Sequence, residues 1–221
     1  MITEESRRTR KKRETKAKIL KTARDIFVEK GYENASIEDI ANEVDISRAT
    51  FFNYYPNKES LLVGIANEQK EKFEEYFEEI DRSDMGPLEK IIRVIEWVYF
   101  DSIKYLNLNS RVAYSCFPKN GEDVPCTYKA VKSKCSRLVK EAIENKEIES
   151  DHSVEDIVRV IVVSCCGLIF DSYYSGKKYG SRKKFKAAMD VLLKGIGCNV
   201  EIERSRLDKC LEEKNLTHTD G

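Results

Sequence analysis

Between Gly31 and Leu62 the chain reads GYENASIEDIANEVDISRATFFNYYPNKESLL, and Arg48, Thr50, Asn53 and Tyr54 within it carry the donors and acceptors that base edges and phosphates require. An arginine pairs bidentately with guanine, an asparagine with adenine, and hydroxyls serve either base or phosphate. Ala49 is small enough to permit close approach, and Phe52 offers a ring to a thymine methyl or a sugar. Arg48 also opposes the positive end of any helix it opens, a mismatch of a few tenths to about 1 kcal/mol that a phosphate or guanine edge would offset. The competing reading is structural: three small helices of an all-α core, with Phe52 and Tyr54 packing on neighbours.

The elements that must position these residues follow from local chemistry. Ser36 precedes the apolar series Ile37, Ile40, Ala41 and Val44, and Asp39 lies three positions on, so Ser36 reads as an N-cap with a capping-box partner. Asp45 interrupts the series and belongs to a type that tolerates positive φ, which makes it the turn residue. Ile46 returns to the core, Ser47 offers a second N-cap, and a helix is expected from Arg48 to Tyr55, stopped by Pro56. Two short helices joined this way make a helix-turn-helix. Helical spacing makes Phe51 and Tyr55 the buried pair and turns Arg48, Ala49, Thr50, Phe52, Asn53 and Tyr54 outward.

Gly31-Tyr32, Ile40-Ala41, the run Phe51-Phe52-Asn53-Tyr54-Tyr55 and the string Lys58-Glu59-Ser60-Leu61 resemble the DNA-binding domain of TetR-family transcriptional regulators, over roughly residues 15–62. The resemblance implies phosphate contacts for Ser36, Thr50, Tyr54 and Lys58, and base-facing positions for Arg48, Ala49 and Asn53. It also implies a homodimer on a palindromic double-stranded operator and a small-molecule effector. Two positions depart from the family pattern: Asp45 replaces the usual turn glycine, and Phe52 stands where many members have a tyrosine.

Charge is informative locally, not globally: 39 basic residues balance 39 acidic ones, which excludes a uniformly basic nucleic-acid binder. Residues 1–18, by contrast, set Arg7, Arg8, Arg10, Lys11, Lys12, Arg13, Lys16 and Lys18 against Glu4, Glu5 and Glu14, a net +5. Such a basic arm could follow phosphates or enter the minor groove, or serve only as a solubilising terminus. There is no apolar signal core, and the most apolar run, Ile157 to Phe170, includes Arg159 and is shorter than a membrane span, so a cytoplasmic location without membrane contact is expected. The seven cysteines lack CxxC pairs and read as small buried hydrophobes. Vicinal Cys165-Cys166, or Cys116, Cys126 and Cys135, are the alternative thiol or soft-metal candidates. No metal site, cofactor or catalytic set is expected.

The remaining elements are helical. Ile19, Leu20, Ala23, Ile26 and Phe27 give a first helix ended by Gly31; Asn57 caps a long helix to about Ile80, able to transmit motion; Pro87 opens another to about Leu106. A loop at 118–126 precedes helices near 127–147, 153–175 and 182–197, punctuated by Gly176, Gly180 and Gly197. The expected architecture is all-α with about nine helices: a head with its basic arm over residues 1–60, a helical effector-binding and dimerisation domain over 61–198, and a charged tail over 199–221. The helix from Val154 is apolar nearly all round and must be covered on both sides. The helices near 154–175 and 182–197 are those the resemblance assigns to dimerisation.

Trp97, Phe100, Tyr105, Tyr114, Phe117, Tyr128, Phe170, Tyr173 and Tyr174 are candidates to line an effector cavity, with Glu96, Asp101 and Asp171 as polar anchors, although aromatics at helical spacing also serve as plain core. The sequence thus supports a ligand-responsive repressor first. A DNA-bound adaptor whose helical domain holds a protein partner is the alternative, and an enzyme finds no recognisable catalytic constellation.

Overall fold

The computed structural model describes residues 7–104, 108, 127–174 and 182–198, the side chains of Lys104 and Tyr173 excepted. The loop expected at 118–126, Tyr105, Tyr114, Phe117, Cys116, Cys126, Cys210, glycines 176 and 180 and the tail at 199–221 lie outside these residues. Eight helices are described: α1 (Arg7–Lys30), α2 (Ile37–Val44), α3 (Arg48–Phe52), α4 (Lys58–Asp81), α5 (Pro87–Lys104), α6 (Thr127–Glu144), α7 (Val154–Tyr174) and α8 (Arg182–Gly195). Among the described residues the only β pairing is an isolated bridge between Ile148 and Cys198, so the fold is all-α as expected. The described residues form two compact units, one holding residues to Lys70 with Leu108, the other Glu71–Lys104 and the segments from Thr127 on.

In the first unit Ile19, Leu20, Ala23, Ile26 and Phe27 are buried as the inner face of α1, which ends at Gly31 with φ +80°, the left-handed conformation that glycine adopts without steric cost. The basic segment differs from the expected arm: from Arg7 onward it is helical and forms the opening turns of α1. Asn57 caps α4 through its Oδ1, which accepts the Ser60 N–H at 2.8 Å. Two features fasten α1 to the first turns of α4. Arg24 is buried and its Nη2 donates to Glu68 Oε2 at 2.6 Å, while at Gly64 an added Cβ would stand 2.8 Å from Leu20 Cδ2 and 3.2 Å from the Tyr55 ring. Glycine therefore permits the close approach that the ion pair needs.

The second unit is built on Phe73, Phe77, Leu88, Ile91, Ile92, Ile95, Leu138, Val139, Val158, Ile161, Phe185 and Met189, all buried in one cluster. Pro87 opens α5 as expected, and the next N–H, on Leu88, is satisfied by the buried Glu147 Oε2 at 2.8 Å. Gly197 has φ +86°, and a Cβ there would collide with the Glu149 carbonyl; the Glu149 N–H returns a bond to Gly197 O at 2.9 Å. Along α7, Ile157, Val158, Ile161, Val162 and Cys165 are buried, whereas Val160, Val163, Phe170 and Tyr174 on the other side are exposed.

Candidate nucleic-acid interface

Ser36 and Asp39 close the capping box: Ser36 Oγ accepts the Asp39 N–H at 3.0 Å, and Asp39 Oδ2 accepts the Ser36 N–H at 3.0 Å. These hydrogen bonds, backbone first, together with the Lys30 ammonium 3.0 Å away, hold the Asp39 carboxyl down to about 2. At the far end of α2, Asp45 has φ 62° and ψ 53°, and its N–H and that of Ile46 return to α2 carbonyls, so Asp45 is the left-handed turn residue. Ser47 Oγ accepts the Thr50 N–H at 3.1 Å and caps α3. Phe51 and Tyr55 are buried together, their ring centroids 6.2 Å apart.

The second helix is shorter than expected, ending at Phe52 instead of Tyr55. The N–H of Asn53 bonds to Thr50 O at 3.2 Å and that of Tyr54 to Phe51 O at 2.9 Å, three-residue closures that tighten the chain into a turn before Pro56. Asn53 is consequently the C-cap and Tyr54 lies in the turn. Arg48, Ala49, Phe52 and Asn53 are exposed on one stretch of surface, while Thr50 and Tyr54 are half-buried and Thr50 Oγ1 shares a hydrogen bond with Ser47 Oγ at 2.9 Å.

Two of the singled-out cations have partners within the chain. Arg48 Nη1 lies 2.5 Å from Glu38 Oε1, and its guanidinium stands 5.6 Å from the Phe52 ring centroid. The dipole mismatch inferred for Arg48 is thus already compensated by a carboxylate of α2. Lys58 turns inward: its Nζ donates to the carbonyls of Tyr32 and Ala35, the latter at 2.9 Å, and sits 4.3 Å from the Tyr32 ring centroid. A direct phosphate contact by Lys58 would have to break these bonds. Glu38 and Arg24 carried no signal in the sequence, and Lys18 read only as part of the basic arm. Lys18 Nζ caps Val44 O, the last carbonyl of α2, at 3.0 Å. Its position one residue before the apolar face of α1 was the available signal; Glu38 offered none, because its partner is ten residues away across a turn.

In the second unit the effector candidates divide. Trp97 is half-buried and stacks on Tyr76 at 5.5 Å; Phe100 is half-buried, lies 5.6 Å from Phe185 and carries the Arg182 guanidinium at 5.0 Å. Beside them the buried Glu96 carboxylate has Arg182 Nη1 at 3.7 Å. Tyr128, Phe170, Asp171 and Tyr174 are instead exposed, so they do not join Trp97 and Phe100 in one enclosed lining. The cause is the phase of α7: burying Ile157, Ile161 and Cys165 turns Phe170 and Tyr174 to the other side, where their rings stack on each other at 6.1 Å. Asp101 is half-buried. Cys135, Cys165 and Cys198 are buried, and burial pushes the Cys135 thiol up to about 12 and Cys165 upward as well, the opposite of a reactive thiolate; Cys166 is exposed.

Two capped helices about a left-handed turn, with an exposed polar and aromatic edge on the second, define a helix-turn-helix module. Residues 19–65 match the model for bacterial regulatory proteins of the tetR family. Similar proteins include the HTH-type transcriptional regulator YuxN of Bacillus subtilis (strain 168), 43% identical over 49 residues, which are 22% of this chain and 17% of that one. An HTH-type regulator from the lacX 3' region of Lactococcus lactis subsp. lactis is 30% identical over 47% of this chain and 51% of its own. The matches therefore span about half or less of these two relatives. Among solved structures, a gamma-butyrolactone receptor described as ArpA-like shares the fold with a TM-score of 0.67 at 17% identity, covering 92% of this chain and 99% of that one. CprB from S. coelicolor A3(2), a TetR family protein, gives a TM-score of 0.63 at 16% identity over 88% and 95% of the two chains. Residues 19–65 are thus similar to the N-terminal segment of the tetR family, and the chain shares its fold with these solved structures.

Proposed function

We propose that this chain is a DNA-binding transcriptional regulator that reads a palindromic operator as a homodimer. The observation that carries the reading is the pair of serine-capped helices about Asp45, which leaves Arg48, Ala49, Phe52 and Asn53 exposed together at the start and end of α3. In the docking geometry of this motif the beginning of the second helix meets base edges in the major groove. Arg48, Ala49 and Asn53 are the base-facing set, Phe52 contacts a thymine methyl or sugar, and Ser36, Thr50 and Tyr54 face phosphates, with Lys58 acting chiefly by holding the head together.

The exposed side of α7 supports the dimer. Val163 is 57% exposed, Phe170 62% and Tyr174 78%, and Val191 on α8 is 71% exposed, an apolar surface that a second copy would cover. A small-molecule effector binding near Trp97, Phe100 and the Glu96–Arg182 pair would make the protein a ligand-responsive repressor, provided that it binds one state more tightly by about 1–3 kcal/mol. Proteins of similar fold include a gamma-butyrolactone receptor, which makes this class of compound the first to screen. An adaptor whose α7 surface holds a different protein is the second reading, favoured by the same exposed side chains. No helix among the described residues is long and apolar enough to cross a membrane, in keeping with a regulator working on cytoplasmic DNA.

Selection of bound duplexes from random sequence tests the proposal. The expected product is an inverted repeat bound by two copies, with sedimentation showing a dimer that Phe170→Asp dissociates. Absence of any enriched sequence would sink the regulator reading, and a monomer at micromolar concentration would favour the adaptor.

A further inference from the structure

The opening turns of α1 bury no apolar side chain before Ile19. Residues 7–14 and 16–18 are exposed, and between Arg7 and Lys18 eight basic side chains meet the single acidic Glu14, a local net +7 in a chain of balanced charge. At 100° per residue these side chains surround the helix, so no face of it is apolar. Such a segment is ill suited to stand alone. Arg7 and Lys11, Arg8 and Lys12, and Lys12 and Lys16 are like charges four apart, and the first turn holds no acidic residue to complement the helix dipole. Its helicity calls for an external polyanion.

The base of the segment is fixed beside the reading motif. Lys18 caps the last carbonyl of α2, and Lys16 Nζ stands 5.8 Å from the Tyr55 ring just beyond α3. From there the twelve residues extend about 18 Å. A DNA duplex presents one charge per about 1.7 Å of axis, so this length faces on the order of ten phosphate charges. The minor groove is closed to it: a helix with side chains is about 10–12 Å across, and that groove is about 6 Å wide. The segment also precedes residues 19–65, the part that matches the family model.

We propose that Arg7–Lys18 is a second DNA contact, a basic helix that lies along the phosphate backbone flanking the base-reading site and contributes sequence-independent affinity. The proposal rests on the regulator reading. It is tested in the full chain by replacing four exposed residues together, Arg7→Gln, Arg8→Gln, Lys11→Gln and Lys12→Gln. Affinity for the selected operator and for random duplex is followed across a salt series. The expected result is a slope of log affinity against log salt shallower by about two to three, with binding at low salt weakened about 10-fold or more on both duplexes alike. Amide exchange of residues 7–18 should slow when DNA is added to the unsubstituted chain. An unchanged slope in a variant that still binds overturns the second contact and leaves the regulator reading intact. So does a loss confined to the operator, or a loss confined to anionic phospholipid vesicles. Absence of DNA binding by the unsubstituted chain overturns both.

Discussion

Glu38 Oε1 sits 2.5 Å from Arg48 Nη1, tying the first turn of α2 to the first turn of α3 across the face proposed to meet DNA. Both side chains are more than half exposed, so the pair contributes little to folding, in the range of about 0–1 kcal/mol. Its consequence is for recognition, since the arginine must leave or share this carboxylate to engage a guanine. Glu38→Gln should therefore tighten binding to the operator several-fold, and by more than it tightens binding to random sequence, widening the gap between them. Arg48→Ala should cost about 1–3 kcal/mol on the operator and relax preference at one position. In the Arg48→Ala background Glu38→Gln should do little; equal gains in both backgrounds, measured by fluorescence anisotropy, would show that Glu38 acts only by repelling phosphates.

Lys58 is predicted to be a stability residue before it is a binding residue. Its ammonium serves the carbonyls of Tyr32 and Ala35 behind the turn that follows α1. Hydrogen bonds from a charged group are each worth about 1.5–3 kcal/mol. Partial solvent access lowers what is lost, and Lys58→Met should destabilise the chain by about 1–2 kcal/mol. Chemical denaturation checks this. An unchanged midpoint together with a shallower salt slope would restore the phosphate role.

Asp45 holds φ 62° where glycine would do so without strain. A non-glycine left-handed residue costs about 1 kcal/mol, somewhat less for aspartate, so Asp45→Gly should stabilise the head by up to that amount. Asp45→Val should destabilise it by more, because a β-branched side chain is least tolerant of this conformation. The comparison of denaturation midpoints decides whether Asp45 is retained for the turn or for something beyond it.

The pH dependence follows from Asp39. Its folded carboxyl is held down to about 2 by hydrogen bonds to Ser36 and by Lys30, whereas an aspartate in an unfolded chain titrates near 4. A depressed folded value contributes stability that is fully present above about pH 4 and is lost as pH falls toward 2. Asp39→Asn should flatten the melting temperature over that window and leave neutral-pH helix content nearly intact; a parallel fall in both proteins, followed by circular dichroism, would assign the acid sensitivity to other carboxylates.

The helix-turn-helix was legible from the residues because its signals are local. Ser36, Asp39, Asp45 and Ser47 cap or turn the backbone through bonds spanning three or four residues, so type and spacing suffice to place them. The periodic apolar face of α1, the Asn57 cap and the start of α5 at Pro87 were readable for the same reason. The chain itself also specified the Phe51–Tyr55 burial, since one face of a short amphipathic element must turn inward. The tertiary structure decided whatever depends on residues distant in sequence: that Arg48 meets Glu38, that Lys58 points at backbone carbonyls instead of outward, and that Arg24 is buried on Glu68. It decided the effector candidates too. The periodicity of α7 was visible, but only the packed neighbours fix which side turns inward, and that choice exposes Phe170 and Tyr174 while keeping Trp97 and Phe100 half-buried. Local hydrogen bonds are encoded in a short stretch of chain; the phase of a helix apolar on all sides, and the partner of a long flexible cation, are set by surfaces that exist only once the chain has folded.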